Sequence, residues 1–129
     1  MRVLQLDDRG SSPVEFVLVG ALLTVLTLAV LQFGFAVYVR NVVHDAAVEG
    51  AYHAALADTT AAQGAERTRQ VIERAVGAGY DASIRLDELD EGSGPVVRVR
   101  VAATLPLAGL FGIPSGLEVQ AHAPIETFD

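Results

Sequence analysis

The stretch FVLVGALLTVLTLAVLQFGFAVYV, residues 16–39, runs for about 24 residues without a charged side chain. At about 1.5 Å per residue a helix of that length reaches about 36 Å, enough to cross a hydrocarbon core of about 30 Å. A cleaved secretory signal would have an apolar region of only about 7–15 residues followed by a small-residue cleavage site. Here the run is longer and closes on Tyr38, Val39 and Arg40. The stretch therefore reads as a transmembrane helix that stays in the bilayer. Arg2 and Arg9 precede it, whereas Arg40 is the one basic residue close behind it. That bias favours an N-terminus in the cytoplasm and residues 41–129 outside.

Working outward, composition explains why so much of the chain must sit in this helix. The 129 residues are 51% hydrophobic but only 6% aromatic, a poor mixture for one soluble core. Cysteine is absent, so the rest of the chain folds by packing alone, without disulfides or a thiolate metal cluster. A net charge of −7 argues against nucleic acid, whose phosphates require a basic face. Within the span, Gly20, Thr24, Thr27, Leu31 and Gly34 recur at helical spacing on one face. Four of these five are small or weakly polar, which suits close approach by another helix. Gly and Thr are also simply common in membrane helices, and Gln32 lies off the stripe.

Before the span stands RGSSPVEF, residues 9–16, with Glu15 at the threshold of the apolar run. Its residues support two readings. An ionisable group at a membrane helix is a functional candidate, because burying it unpaired costs about 3 kcal/mol. Alternatively, Ser12, Pro13, Val14 and Glu15 spell an S-x-x-E capping box with Pro at the first helical position, where negative charge suits the helix dipole.

The same segment resembles the processing site of type IV prepilins, in which a peptidase cuts after Gly and leaves Glu at the fifth mature position. Gly10 precedes Ser11 here, and Glu15 is fifth. The RGSSPVEF form is similar to the TadE-like pseudopilins of tight-adherence (Flp-type) pilus systems. NVVHDAAVEGAYHAA, residues 41–55, is similar to that family's Ala-rich segment beyond the membrane, with Val48 and Tyr52 where members often carry Arg. The resemblance implies cleavage between Gly10 and Ser11, with methylation of Ser11 able to follow. It also implies an ion pair between Glu15 and a neighbouring subunit's new amino terminus. The partners it implies are other pilins or pseudopilins, the assembly platform and a prepilin peptidase.

From Arg40 the helix is expected to continue to about Ala57, since no proline intervenes and alanine is the best helix former. Val43, Ala47, Gly50, Ala51 and Ala54 form a small-residue face, and Asp45, Glu49 and His53 a polar one. Two acids and an imidazole at that spacing suit a metal, but pairs four apart on a solvated stalk need no ligand to explain them. Thr59 or Thr60 can cap a second helix, with Gln63 completing a box after Thr60. Its apolar stripe is Ala65, Thr68, Val71, Ile72, Ala75 and Val76, and Gly77 and Gly79 stop it. This second helix should return toward the membrane.

Beyond Tyr80 the period changes to two. Ala82, Ile84 and Leu86 alternate with polar residues, as do Val97, Val99, Val101 and Ala103, and Leu117, Val119, Ala121 and Ala123 offer a third strand. DELDEGSGP, residues 87–95, reads as a turn. Its acids fail the EF-hand calcium pattern, which leaves a solvated hairpin tip. LPLAGLFGIPSG, residues 105–116, reads as an unusually apolar loop that can meet the bilayer interface or a partner, or pack between helix and sheet.

The expected fold is α+β: a long N-terminal transmembrane and stalk helix, a second short helix and a small three-stranded antiparallel sheet, as in pilins. The expected organisation is a cytoplasmic leader at 1–10, a transmembrane helix at 11–39 and an extracytoplasmic stalk helix plus α+β domain at 40–129. His44, His53 and His122 fall in no catalytic motif, and no nucleophile elbow, zincin helix or phosphate loop occurs. The chain is thus expected to be no enzyme and to take no cofactor, metal or small-molecule substrate. A single-pass cytoplasmic-membrane component of a Flp-type pilus, either in the membrane or in the filament, is the leading expectation. An unprocessed membrane-tethered binding or scaffold protein of the envelope is the alternative.

Overall fold

The computed structural model describes residues 11–107 and 111–127. Helix α1 spans Ser11–Ala55 without interruption and α2 spans Ala61–Val76. They are followed by strands β1 (Ala82–Asp90), β2 (Pro95–Leu107) and β3 (Phe111–Pro124). The strands form an antiparallel sheet in the order β1-β2-β3. The architecture is the expected α+β one, with the two helices covering one face of the sheet.

Alanine richness and the absence of proline after Pro13 let α1 run through the end of the apolar stretch into the stalk. Its packing changes sharply at Val39. Before that residue every side chain is exposed or partly so; from it onward Val39, Val43, Ala46, Ala47, Gly50, Ala51, Ala54 and Ala55 are buried. Val39 is therefore the first core residue of the outer domain. Opposite lie Val97, Val99, Val101 and Ala103 of β2 and Leu117, Val119, Ala121 and Ala123 of β3, the alternation the sequence predicts.

The second helix opens with the anticipated capping box. Thr60 accepts from the Gln63 amide at 3.3 Å, and the Gln63 side chain accepts from the Thr60 amide at 2.8 Å. Gly77 ends it with φ 127°, a backbone region glycine occupies at little steric cost. Its buried line is Gly64, Thr68 and Ile72, whereas Ala75 is exposed. Gly64 matters because it faces Gly50 across the helix pair. A Cβ on Gly50 would lie 2.9 Å from the Gly64 carbonyl oxygen and 1.8 Å from Thr68 Oγ1; a Cβ on Gly64 would lie 2.8 Å from the Gly50 carbonyl oxygen. The helices thus touch backbone to backbone, and the Thr68 hydroxyl, fully buried there, donates to the Gly64 carbonyl at 3.0 Å.

Two stretches expected as connections are strand. DELD belongs to β1, paired through Asp90↔Pro95, and the turn is only Glu91 to Gly94. The apolar stretch is ladder as well in residues 105–107 and 111–113: Leu105 pairs with Ile113, Pro106 with Gly112 and Leu107 with Phe111. The register shifts between Ala103 and Leu105, beside Ser115 with φ 54°. Proline and glycine lower strand propensity, but a two-stranded extension beyond the end of β1 tolerates both.

Tyr80 closes the domain by donating its hydroxyl to the Thr104 carbonyl. Burial, reinforced by the adjacent Asp81 charge, raises its phenol above the ordinary value. The neutral form is thus the one the fold prefers. Its contribution to stability is complete below about pH 10 and is lost as pH rises through the folded-state value.

Gly50→Ala is expected to lower stability by about 1–3 kcal/mol, despite alanine's helix preference of about 1 kcal/mol, because a packed backbone carbonyl cannot move aside. Denaturant unfolding of the full chain in detergent, followed by circular dichroism, measures this. Tyr80→Phe is expected to cost about 1 kcal/mol at neutral pH through the lost hydrogen bond, and to flatten the loss of stability above about pH 10. Unfolding midpoints recorded from pH 7 to 11 (about four pH units) test both effects.

Candidate membrane span and assembly face

Residues 11–31 of α1 are exposed throughout, and of residues 32–38 only Gln32 and Ala36 are partly covered: Phe16 is 80% exposed and Phe33 72%. Among the described residues α1 is the one helix long and apolar enough to cross a membrane. About 15 Leu, Val and Phe side chains lie in the stretch 16–39; at about −0.3 to −0.6 kcal/mol each near a bilayer centre, they favour insertion by about 5–9 kcal/mol. Left in water, the same surface would be an apolar rod. Tyr38 marks its end, an amphipathic ring at the boundary, and donates its hydroxyl to the Ala75 carbonyl at 3.3 Å.

Gly20, Thr24, Thr27, Leu31 and Gly34 all lie on the exposed part of α1. Thr24 donates to the Gly20 carbonyl and Thr27 to the Leu23 carbonyl, each at 2.8 Å, so both hydroxyls are satisfied within the helix. A Cβ added at Gly20 or Gly34 meets nothing within 4 Å. No part of the described chain covers this face. Gln32 lies off this face, and its side-chain carbonyl oxygen is shielded from solvent without a hydrogen-bond partner among the described residues. In hydrocarbon that amide gains from a neighbouring helix by about 1 kcal/mol.

Ser11 is the first residue of α1, and Ser12 and Glu15 follow as exposed residues on its opening turns. Gly10 and the leader 1–10 lie outside the described residues. On the stalk, Glu49 is engaged from the second helix: Arg67 Nε donates to its carboxylate at 2.8 Å. Among the described residues no group of three His, Asp or Glu side chains comes together to hold a metal ion. His122 accepts from Arg98 Nε at 3.1 Å on the outer face of the sheet, where Arg100 also pairs with Glu118 at 3.4 Å.

A groove of about 760 Å³ opens at the end of the domain far from the span, lined by Tyr52, His53, Leu56, Gln63, Arg67 and Glu126 among others. Sequence periodicity did not mark it, because its walls come from α1, α2 and the segment after β3. The one visible signal was Tyr52, an aromatic on the polar side of the stalk and 61% exposed.

Residues 10–51 match the family of TadE-like proteins. Over this segment the chain is TadE-like. The matched segment takes in the whole exposed part of α1 and ends beside Gly50, where α2 makes its closest contact. The match suggests an association with tight-adherence pilus systems, and α1 is a helix long and apolar enough to cross a membrane. No curated protein and no solved structure matches the chain.

Replacing Gly20 and Gly34 together by Ile is expected to leave the unfolding of the outer domain within about 0.5 kcal/mol of the parent, since both positions are open. Association of α1 helices through this face should fall about tenfold, equivalent to about 1.4 kcal/mol. Unfolding in detergent and cross-linking yield in bilayers read the two effects separately.

Proposed function

We propose that this TadE-like chain is a structural or assembly component, a minor pilin or pseudopilin, of a tight-adherence Flp-type pilus. The observation that carries the proposal is the continuity of α1. A TadE-like apolar segment, exposed throughout residues 11–31, passes without a break into a stalk that is packed along one face. A helix of that form suits an element handed from lipid to a helical neighbour, because both environments offer apolar surface and neither requires the backbone to change.

In this reading the N-terminus is cytoplasmic and residues 40–129 are extracytoplasmic. A prepilin peptidase cuts between Gly10 and Ser11, and Glu15 then meets a sister subunit's freed amino terminus, an ion pair that offsets the cost of placing a carboxylate in lipid. Gly20, Thr24, Thr27, Leu31 and Gly34 form the helix-packing face, with sister pilins and the assembly platform as partners. The chain is placed and packed, without catalysis, cofactor, metal or small-molecule substrate. A second reading, an unprocessed membrane-tethered scaffold, is favoured by the groove beside Tyr52 and Leu56, which a recruited envelope protein would fill.

One pair of measurements separates these readings. In a strain carrying the peptidase, the mass of the purified protein should correspond to an N-terminus at Ser11; a chain beginning at Met1 rules out processing. Glu15→Ala should reduce pilus assembly about tenfold or more while leaving the membrane-bound amount unchanged, whereas unaltered pili would favour the tethered scaffold.

A further inference from the structure

We propose that Arg85 and Arg100, on the outer face of the sheet, form a binding site for the carboxylate of an acidic sugar unit in a polysaccharide. Such a site works whether or not the chain enters a pilus. The two helices cover the opposite face, so this one is left to solvent. On it Arg85 of β1 stands directly across from Arg100 of β2 in the ladder. Like charges so placed repel, and an anion shared between them removes that repulsion. In a chain of net charge −7, two cations brought face to face call for such an anion.

The fold supplies only part of it. Glu118 Oε1 lies 3.4 Å from Arg100 Nε, and that nitrogen is shielded from solvent without a hydrogen-bond partner among the described residues. Arg85 makes no ion pair among the described residues. Arg98, the next outward residue of β2, is engaged: it donates to His122 at 3.1 Å and lies 3.7 Å from Glu91. One carboxylate thus serves the two guanidiniums of Arg85 and Arg100, and positive charge for a second anion remains. Arginine forks match a carboxylate through paired N–H donors, which a lysine ammonium cannot do.

Space and lining select the kind of anion. Beside the pair an open hollow of about 340 Å³ is lined by Ser83, Arg85, Arg100, Ala102, Ser115 and Glu118. At about 30 Å³ per water molecule it holds the equivalent of about 11 waters, room for one sugar ring rather than a folded segment of protein. Ala102 lies in register between Ser83 and Glu118, and its short side chain leaves the middle of that row open. It is also the one apolar residue of the lining, so an apolar side chain finds no wall to pack against. Two hydroxyls can donate or accept and the Glu118 carboxylate accepts, which suits the hydroxyls of a sugar ring. A bare phosphate, by contrast, meets Glu118 as a like charge. The sugar carboxylate bridges the two arginines, a ring hydroxyl donates to Glu118, and the ligand is held without being transformed.

Calorimetric titration of the full-length protein, held in phosphatidylcholine nanodiscs, with digalacturonate tests the site; galactobiose and inorganic phosphate are the comparison ligands. Digalacturonate is expected to bind with a Kd of about 1 mM, and galactobiose about tenfold more weakly or worse. Arg85→Gln, Arg100→Gln and Arg85→Lys should each weaken digalacturonate about tenfold, the last because the charge stays while the fork is lost. Arg69→Gln, at an exposed position on α2, should leave binding unchanged. Glu118→Ala should lower the preference for digalacturonate over phosphate about tenfold, since it removes the hydroxyl acceptor and the like charge together. Phosphate binding as tightly as digalacturonate in the parent would overturn the sugar assignment and leave only a patch that holds ions. Unchanged digalacturonate binding in both Arg→Gln variants, or no binding at about twentyfold above the expected Kd, would overturn the site itself. Circular dichroism of each variant shows whether a loss of binding is a loss of fold, and the Arg85→Lys result stands on an exposed side chain in either case.

Discussion

The contact between α1 and α2 at Gly50 and Gly64 is one of backbones, since a methyl group on either residue would fall within 3 Å of the other's carbonyl oxygen. The rest of the outer domain depends on that closeness. With the helices so near, α2 runs back along the stalk until Ala75 reaches Tyr38, and Tyr80 then meets β2 at Thr104. The orientation of the sheet relative to the span follows from this chain of contacts. Strands entering from any other direction would lose either the Tyr80 bond or the burial of Val97, Val99 and Val101 against α1.

The two halves of α1 present different surfaces, one exposed and apolar and one packed, and small residues do different work in each. In the outer half glycine lets one backbone reach another within the same chain. In the span Gly20 and Gly34 face open space, and the neighbouring Thr24 and Thr27 spend their hydroxyls on their own helix. A helix that satisfies its own backbone can lie in lipid or against another helix at similar cost. The transition between the halves falls at Val39, and the match to TadE-like proteins bridges it. Span and stalk are thus one mechanical element, with the sheet fastened to its distal part.

Much of this was legible beforehand because its signals are local. The Thr60 and Gln63 box, the stop at Gly77 and the alternating valines of β2 each depend on residues a few positions apart. The readings that needed revision all depend on one segment pairing or packing with another, which the pattern of neither segment shows alone. DELD was read as turn because acids and glycines cluster there, yet β2 supplies partners through Asp90. LPL and FGIP looked like loop because proline and glycine oppose strand in general; at the end of a hairpin with no β1 alongside, that objection disappears. Gly64 carried no apolar signal at all, since what makes it important is the absence of a side chain opposite Gly50. Arg67 reaching Glu49 across the helix pair was equally invisible from either helix alone.

By itself the sequence determined the length and position of the apolar span, the caps of α2, the strand alternation and the likeness to TadE-like proteins, all properties of one local stretch and its hydrophobic period. Only the tertiary structure decided where the apolar stretch ends and the core begins, and how closely α2 approaches the stalk. Those are matters of distance between segments far apart in the chain, and they are set by which side chains leave room for a backbone and which do not.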